Sequence, residues 1–561
     1  MNEEKIRFLL VNSTNEFLVE YNTLEENSRY KLTNFSGSTG EALVTQDNIF
    51  LFVDGRYHIQ ADLEVDHEKI TAVKLQTGSR YLDELLKYIP ENEILGIFSK
   101  KNSQKKYEFL KSHRQIKLLE NDPLDKELLT FRCLPPHPTP LPTGEGAVVN
   151  ELCELYNGGR GLNIINEKLT MPLDKISNKN FSQNIVLNKD LTGLTSEEKI
   201  SKISQNLSDN EGIYITDLDE VSYLFNMRNF SQVFSAKIRG KCLIFKNNTI
   251  LFVEEKLNHL PEFLKSLDKE IFIDKSTITA FDYSLLKFPK EIVSNPIKIM
   301  KSQKNSSELK HLKDAFERTD RAVRAIRDFI EQNDNISEFD IAVQLAKEYK
   351  NNGAVGLSFN SIVARNENSA LAHYSKSSKN EIIKDGDLVL IDCGGYFEGG
   401  LATDITRVFV KGEPSALHKK IYTLVLKAFL NAYNYTSIHP QKTITGYEID
   451  NSVHDFFNNQ DTEGFVFNHG LGHGIGINVH EYPPNLSQNE IAKTPIIDGM
   501  CFSIEPGLYK EGFFGVRLEN SCYFLENKIH SFVKMNFEKK LINFEMLTAQ
   551  ESQWLNEFEV K

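Results

Sequence analysis

LVLIDCGGYFEGGLATDITRVF, residues 388–409, is the stretch on which the fold turns. Leu388 to Ile391 is a short apolar run, Asp392 ends it, a glycine-rich turn follows, and Asp404 opens a second run through Phe409. Two such runs joined by turn residues predict a β-hairpin, and the hairpin brings both carboxylates to one end of the strand pair.

The same arrangement recurs downstream. Cys501 to Ile504 leads into Glu505, Pro506-Gly507 breaks the run, and the chain returns through Phe514 to Glu519. A second hairpin thus offers a second carboxylate pair. Between the two lies His469-Gly470-Leu471-Gly472-His473-Gly474-Ile475-Gly476. Glycine at every second position would weaken a helix by about 1 kcal/mol each, so a strand is expected. Alternation puts His469 and His473 on one face, and the glycine face admits close approach of another backbone.

Four carboxylates in one buried pocket would force some to protonate unless cations compensate them. Two divalent ions balance four negative charges. An oxygen-rich set with one histidine suits manganese, cobalt or a similar six-coordinate ion better than a structural zinc. Cys393 follows Asp392 directly, but strand neighbours point to opposite faces, so this thiol is expected to pack rather than coordinate.

Upstream of the motifs, Asn305 opens a long helix. Leu309, Leu312, Phe316, Thr319, Val323, Ile326 and Ile330 advance by alternating steps of three and four, giving one apolar face to pack against a sheet. An earlier α/β unit opens with the capping pattern Thr195-Ser196-Glu197-Glu198 and carries strand-like runs at 212–216 and 242–245. Further toward the N-terminus, Glu41 to Thr45 and Ile49 to Val53 predict a hairpin closed by Asp54-Gly55-Arg56-Tyr57. PPHPTPLP at 135–142 can neither continue a helix nor enter a central strand, and marks a linker or insertion reaching to about residue 180.

At 561 residues the chain exceeds a single core, which stops growing at about 250 to 300 residues. With 40% hydrophobic and 25% charged residues it should fold as an ordinary globular protein. A net charge of -13 argues against nucleic acid as a main partner. The N-terminal sequence reads as neither signal peptide nor membrane anchor. Six cysteines without CxxC spacing fit reduced thiols in the cytoplasm.

DCGGYFEGGLATDITRVF, HGLGHGIGINVHE and EPGLY…GVRLEN resemble the aminopeptidase P branch of the creatinase/methionine aminopeptidase superfamily, whose catalytic domain has the "pita-bread" fold. RYKLTNFSGSTGEALVT with FVDGRYHIQA, and TDLDEVSYLFNMR, are similar to the two N-terminal domains of the long, three-domain form, and FEMLTAQESQWLNEF to its C-terminal extension. The resemblance implies an α/β (α+β) chain with a first creatinase-like domain at 1–130, a second creatinase-like domain at 181–302 and the catalytic domain with a C-terminal extension at 303–561, the Pro-rich linker or insertion at 131–180 lying between the first two. It implies that Asp392, Asp404, His473, Glu505 and Glu519 are metal ligands, with Asp404 and Glu519 bridging, Asp392 on one ion, and His473 with Glu505 on the other. Manganese is the first expectation, cobalt or zinc the alternatives.

Glu505 is then the expected proton acceptor, His373 and His480 bind substrate and shuttle protons, and His469 lines the pocket. Arg517, two residues from Glu519 and hence on the same strand face, is expected to support a metal-bound carboxylate and to help bind substrate, and Tyr509 to line the site. The implied activity is hydrolysis of the Xaa-Pro bond in peptides with proline second, by a cytoplasmic homodimer with no nucleic-acid or membrane partner. A prolidase acting on Xaa-Pro dipeptides and a metal-free peptide- or protein-binding relative are the alternatives. Twelve positions separate Asp392 from Asp404, one more than is usual in the family, which predicts a bulged connecting turn. The Pro-rich stretch and its flanks match nothing expected there.

Overall fold

The computed structural model describes all residues except 2–3, 77–78, 127–183, 375, 441–442 and 561. The Pro-rich expectation, with Cys133 and Cys153, falls outside the described residues.

The hairpin predicted at 388–409 lies near one edge of an eight-stranded sheet. Seven strands run in the order Ile362–Arg365, Leu388–Cys393, Ile405–Val410, Glu519–Leu525, Cys501–Ile504, Gly472–Gly474 and Glu481–Leu486, and Lys528–Ser531 also pairs with Glu519–Leu525. Strand alternation explains why 388–391 is apolar throughout. Val389, Ile391 and Cys393 join one core with the helices Ser306–Gln332 and Glu338–Asn351; Leu388 and Leu390 join another with Ala416–Tyr433, Gly446–Asn458 and Ala549–Val560. A sheet buried on both faces needs apolar side chains on both.

Helix Ser306–Gln332 begins where expected, with Asn305 and Glu308 forming a reciprocal capping box, and its seven apolar-face residues are all buried. Cys393 is buried as well, its sulfur accepting from the Tyr349 hydroxyl at 3.4 Å. The ladder between Leu388–Cys393 and Ile405–Val410 runs unbroken from Leu388↔Val410 to Cys393↔Ile405. The extra residue is therefore absorbed in the excursion beyond the ladder, where Gly395–Tyr396 pairs with Gly356–Leu357.

Two corrections concern the later motifs. Only Gly472–Gly474 is strand, so His469 and His473 do not share one regular strand face. The glycine face is nevertheless closely approached: a Cβ on Gly472 would lie 2.1 Å from the Ser503 carbonyl oxygen, and one on Gly474 2.4 Å from that of Glu481. After Glu505, Gly507–Lys510 and Phe514–Arg517 pair as a separate ribbon before the chain rejoins the sheet at Glu519. Arg517 and Glu519 thus sit on different strands.

The N-terminal regions each build a smaller sheet. The first has six strands in the order Ile70–Lys74, Ile49–Val53, Glu41–Val44, Phe8–Val11, Ile94–Phe98 and Gln115–Leu119, and includes the predicted hairpin. The second has five strands between Glu211 and Glu291, preceded by a helix whose capping box is Thr195 and Glu198. Backbone hydrogen bonds such as Ala280 N–H to Asn102 O at 2.9 Å join the two regions. A Lys376–Glu64 ion pair at 2.6 Å ties the first to the large sheet's domain.

Candidate metal centre and its cavity

The five expected donors lie on five consecutive strands of the large sheet. Asp392 is near the end of its strand and Asp404 immediately precedes the next; Glu519 opens the third, Glu505 follows the fourth, and His473 centres the fifth. Register brings them together: Asp392 faces Thr406, and Thr406 faces Glu519. Donor atoms of Asp404, His473 and Glu519 all lie within 4.8 Å of one another. His473 Nε2 stands 3.6 Å from Asp404 Oδ2 and 3.4 Å from Glu505 Oε1.

This donor set fits cations. Asp392 Oδ1, Asp404 Oδ1 and Glu519 Oε1 are buried without a hydrogen-bond partner, which is costly for a polar atom unless something else satisfies it. Burial, then the charges of Glu519, Asp392 and Glu505, push the Asp404 carboxyl far above the usual carboxylate range. Burial with Glu505 and Asp392 does the same to Glu519. Burial raises Glu505 to about 7 against the pull of Arg517. Such mutual repulsion is what divalent ions relieve.

The imidazole is prepared likewise. His473 Nδ1 lies 3.0 Å from the Gly474 carbonyl oxygen, so that nitrogen carries the proton and Nε2 turns its lone pair to the carboxylates. Burial and the neighbouring His480 depress its pKa to about 3, keeping it neutral. Ser503 steadies the region, donating to Glu505 Oε1 at 3.1 Å and accepting from the His473 backbone N–H at 3.0 Å.

Arg517 is buried and its guanidinium reaches Asp392 Oδ2 at 2.6 Å, Tyr509 Oη at 2.8 Å, the Ala372 carbonyl at 3.1 Å and Thr406 Oγ1 at 3.2 Å. The carboxylate it supports is Asp392, across the sheet. Thr406 in turn donates to Glu519 Oε2 at 2.8 Å. His469 has both nitrogens engaged, Nδ1 with the Gly470 carbonyl and Nε2 with Tyr509 Oη, each at 2.8 Å. Burial and Arg517 hold its pKa at about 3. It lines the cavity without a nitrogen free for proton transfer.

The cavity over these groups has a volume of about 1280 Å³, and all three sheet regions contribute to its walls. His373 and His480 both line it. Sequence reasoning missed the first region's share, namely Glu20, Tyr21, Arg56 and Tyr57. From sequence the DGRY turn closes a hairpin and carries part of the resemblance to the N-terminal domain, and nothing in its spacing connects it with histidines more than 300 positions away. Glu20 is ionised: burial alone would raise its pKa, but His480, Arg56 and the Ser38 hydroxyl outweigh it and bring it to about 2. His373 is driven well below the usual imidazole value by burial, Arg56 and Arg517.

A sheet that gathers acidic donors and one neutral imidazole beneath a peptide-sized cavity defines the class of metallopeptidases. Residues 310–526 match metallopeptidase family M24, and the creatinase/prolidase N-terminal domain matches twice, over 1–132 and 178–308. Xaa-Pro aminopeptidase 1 of Dictyostelium discoideum is 26% identical over 608 residues, spanning 100% of this chain and 90% of its own length. An uncharacterised peptidase of Schizosaccharomyces pombe is 28% identical over 609 residues, spanning 100% and 93%. The X-prolyl aminopeptidase of Caenorhabditis elegans, described as a cytosolic enzyme with a di-nuclear active site, shares the fold with a TM-score of 0.80 and 20% identity over 99% of this chain and 90% of its own. A Bacillus anthracis Xaa-Pro dipeptidase matches 61% of this chain and 99% of its own at a TM-score of 0.51 and 27% identity. Among the described residues no helix is long and apolar enough to cross a membrane.

Proposed function

We propose that the chain is a metal-dependent aminopeptidase that hydrolyses the Xaa-Pro bond and releases the N-terminal residue from peptides with proline in second position. The observation that carries this reading is the cluster of buried, unpartnered carboxylate oxygens beside the His473 imidazole, at the floor of a cavity reached by all three regions. The match of residues 310–526 to family M24 and the similarity to Xaa-Pro aminopeptidases support it. The division into 1–130, 131–180, 181–302 and 303–561 belongs to the same proposal.

Asp404 and Glu519 would hold both of two divalent ions, Asp392 one of them, and His473 with Glu505 the other. The proposed ion is manganese, which matches the oxygen-rich donors. When bound, the pair supplies Lewis acidity toward the scissile carbonyl and toward water. The chain's own groups do the rest. Glu505 accepts the proton of the attacking water. His373 and His480 face the cavity and hold the substrate's polar groups while protons move toward the leaving proline nitrogen. His469 and Tyr509 form a fixed wall, and Arg517 holds Asp392 in place. The space above this floor, walled partly by the first region, accommodates more than a dipeptide, which favours the aminopeptidase over the prolidase reading.

Glu505→Gln and His473→Ala are each expected to abolish manganese-stimulated release of the N-terminal residue from Xaa-Pro-Yaa peptides, with the circular dichroism spectrum unchanged. Wild-type turnover in either variant refutes the assignment, and faster cleavage of Xaa-Pro dipeptides than of longer peptides makes the protein a prolidase. A homodimer in the cytoplasm completes the proposal, and light scattering of the purified protein tests the dimer.

A further inference from the structure

We infer that Lys237, from the second N-terminal region, is a substrate-binding residue that receives a carboxylate of the peptide downstream of the proline. The inference deepens the aminopeptidase reading and rests on it for the direction of the peptide, whereas the spare charge that carries it is a property of the cavity wall itself.

Lys237 is 6% exposed and lines the cavity. The loop that carries it is fixed beside the catalytic groups. Ala236 is fully buried in a cluster with Tyr396, Ile475 and Val479 of the large sheet's domain, and Val479 immediately precedes His480. The Ala236 carbonyl accepts from the Asn229 N–H at 3.0 Å, the Lys237 N–H donates to Ser235 Oγ at 3.2 Å, and the Ile238 N–H donates to Ser222 Oγ at 3.0 Å. Phe234 opens this turn in the left-handed region, with φ at 59°, a conformation that is costly for a bulky side chain and that persists only where the surrounding structure enforces it.

Of the cationic side chains on this wall, Lys237 has the charge that is least used. Arg56 makes two hydrogen bonds to Asp54, at 2.8 and 2.9 Å, Arg239 makes two to Glu26, at 2.7 and 3.2 Å, and Arg517 reaches four acceptors. Lys237 Nζ has Asp219 Oδ1 as its ionic neighbour, 3.5 Å away, and donates no hydrogen bond to any described residue. Asp219 is itself drawn toward Lys301, at 3.9 Å, and Lys301 pairs at 2.9 Å with Glu481, which Lys304 also meets. The row Lys304, Glu481, Lys301, Asp219, Lys237 thus begins and ends on a cation. An ammonium has three donors and no acceptor, and a buried one calls for hydrogen-bond partners. Glu20, Glu25, Glu26 and Asp54 make the facing wall acidic, so the cavity does not attract free anions. A carboxylate tethered to a peptide already held at the metal donors reaches Lys237 at high effective concentration instead. In the proposed reaction one residue precedes the scissile bond, and its α-ammonium has the wrong sign for Lys237. All variable length lies after the proline, where the C-terminal carboxylate and acidic side chains supply the right one.

The test uses manganese-loaded, full-length wild type, Lys237→Met and Lys237→Arg. The substrates are Ala-Pro peptides extended by one to four glycines, each as free acid and as C-terminal amide, together with the amides of Ala-Pro-Glu and Ala-Pro-Gln. In wild type the neutral member of at least one pair should have a KM about 10-fold above that of its anionic counterpart, with kcat within about twofold, the low end of what a hydrogen bond to a charged group contributes. Lys237→Met should bring that ratio to about one, and Lys237→Arg should keep it. A ratio among the acids and amides assigns the C-terminal carboxylate, and one in the Glu and Gln pair assigns an acidic side chain. Ratios near one in every wild-type pair overturn the inference without recourse to a variant, and so does a ratio that survives Lys237→Met. If wild type cleaves none of these peptides, the aminopeptidase reading fails, and calorimetric Kd ratios for the same pairs decide Lys237 by the same criterion.

Discussion

Removing the metal should reverse the pH dependence of stability in the catalytic domain. Glu505 has an ordinary pKa of 4.5 when unfolded and about 7 in the folded, metal-free protein, chiefly because it is buried. A raised folded value means that the native state binds a proton that the unfolded chain has already lost. Stability from this group is therefore full below pH 4.5 and is lost as pH rises through about 7. Each tenfold step is worth 1.36 kcal/mol, so the loss amounts to about 3 kcal/mol, and Asp404 and Glu519 shift in the same direction and add to it. For a domain of this size that corresponds to about 5 to 10 °C. Bound cations require the ionised carboxylates, so loading must become more stabilising as pH rises. Thermal unfolding of chelator-treated and manganese-loaded protein from pH 5 to pH 8 measures it. The metal-free Tm should fall across this range while the loaded one holds or rises. Parallel curves would refute the claim that these three carboxylates share one buried, cation-dependent site.

Two further substitutions probe the scaffold. Arg517→Lys keeps the positive charge but cannot reach Asp392, Tyr509, Ala372 and Thr406 together; manganese affinity by calorimetry should fall about tenfold, within the range usual for a residue that orients a ligand. Gly472→Ala places a methyl group 2.1 Å from the Ser503 carbonyl oxygen, beside the strand that carries His473. It should cost about 1 to 3 kcal/mol in denaturant unfolding, as overpacking does, and weaken metal binding with it.

The proposed metal centre was legible because its residue types recur in one ordered pattern. Asp392, Asp404, Glu505 and Glu519 each stand at the end of a strand-like run, where a single carboxylate is an ordinary turn former, but their order, spacing and glycine-rich context together mark a site. The glycines around His473 advertise a close backbone approach, which the Ser503 and Glu481 carbonyls provide. The strict spacing from Leu309 to Ile330 likewise settled its helix, because one buried face demands it. What failed was strand continuity. The run from Phe514 to Glu519 reads as one strand, yet it divides at Leu518 because Phe514–Arg517 pairs locally with Gly507–Lys510 whereas Glu519 pairs with Thr406. Periodicity within a strand cannot tell which partner it will choose.

The cavity's remaining wall was illegible for a different reason. Glu20, Ser38 and Tyr57 are ordinary loop residues by type and spacing, and what stands opposite them is set by the packing of the first region against the large sheet's domain. A metal donor needs a particular side chain, so it marks the sequence. An orienting hydrogen bond needs only some acceptor at some distance, so it does not. The chain consequently keeps its proposed metal donors on one sheet, where register fixes them to within a residue, and takes the partners of His373 and His480 from a region packed against that sheet. Stability of the donor cluster therefore responds to pH and cation, whereas the contacts of Glu20 with His480 and of Tyr57 with His373 depend on how the first region packs against the sheet.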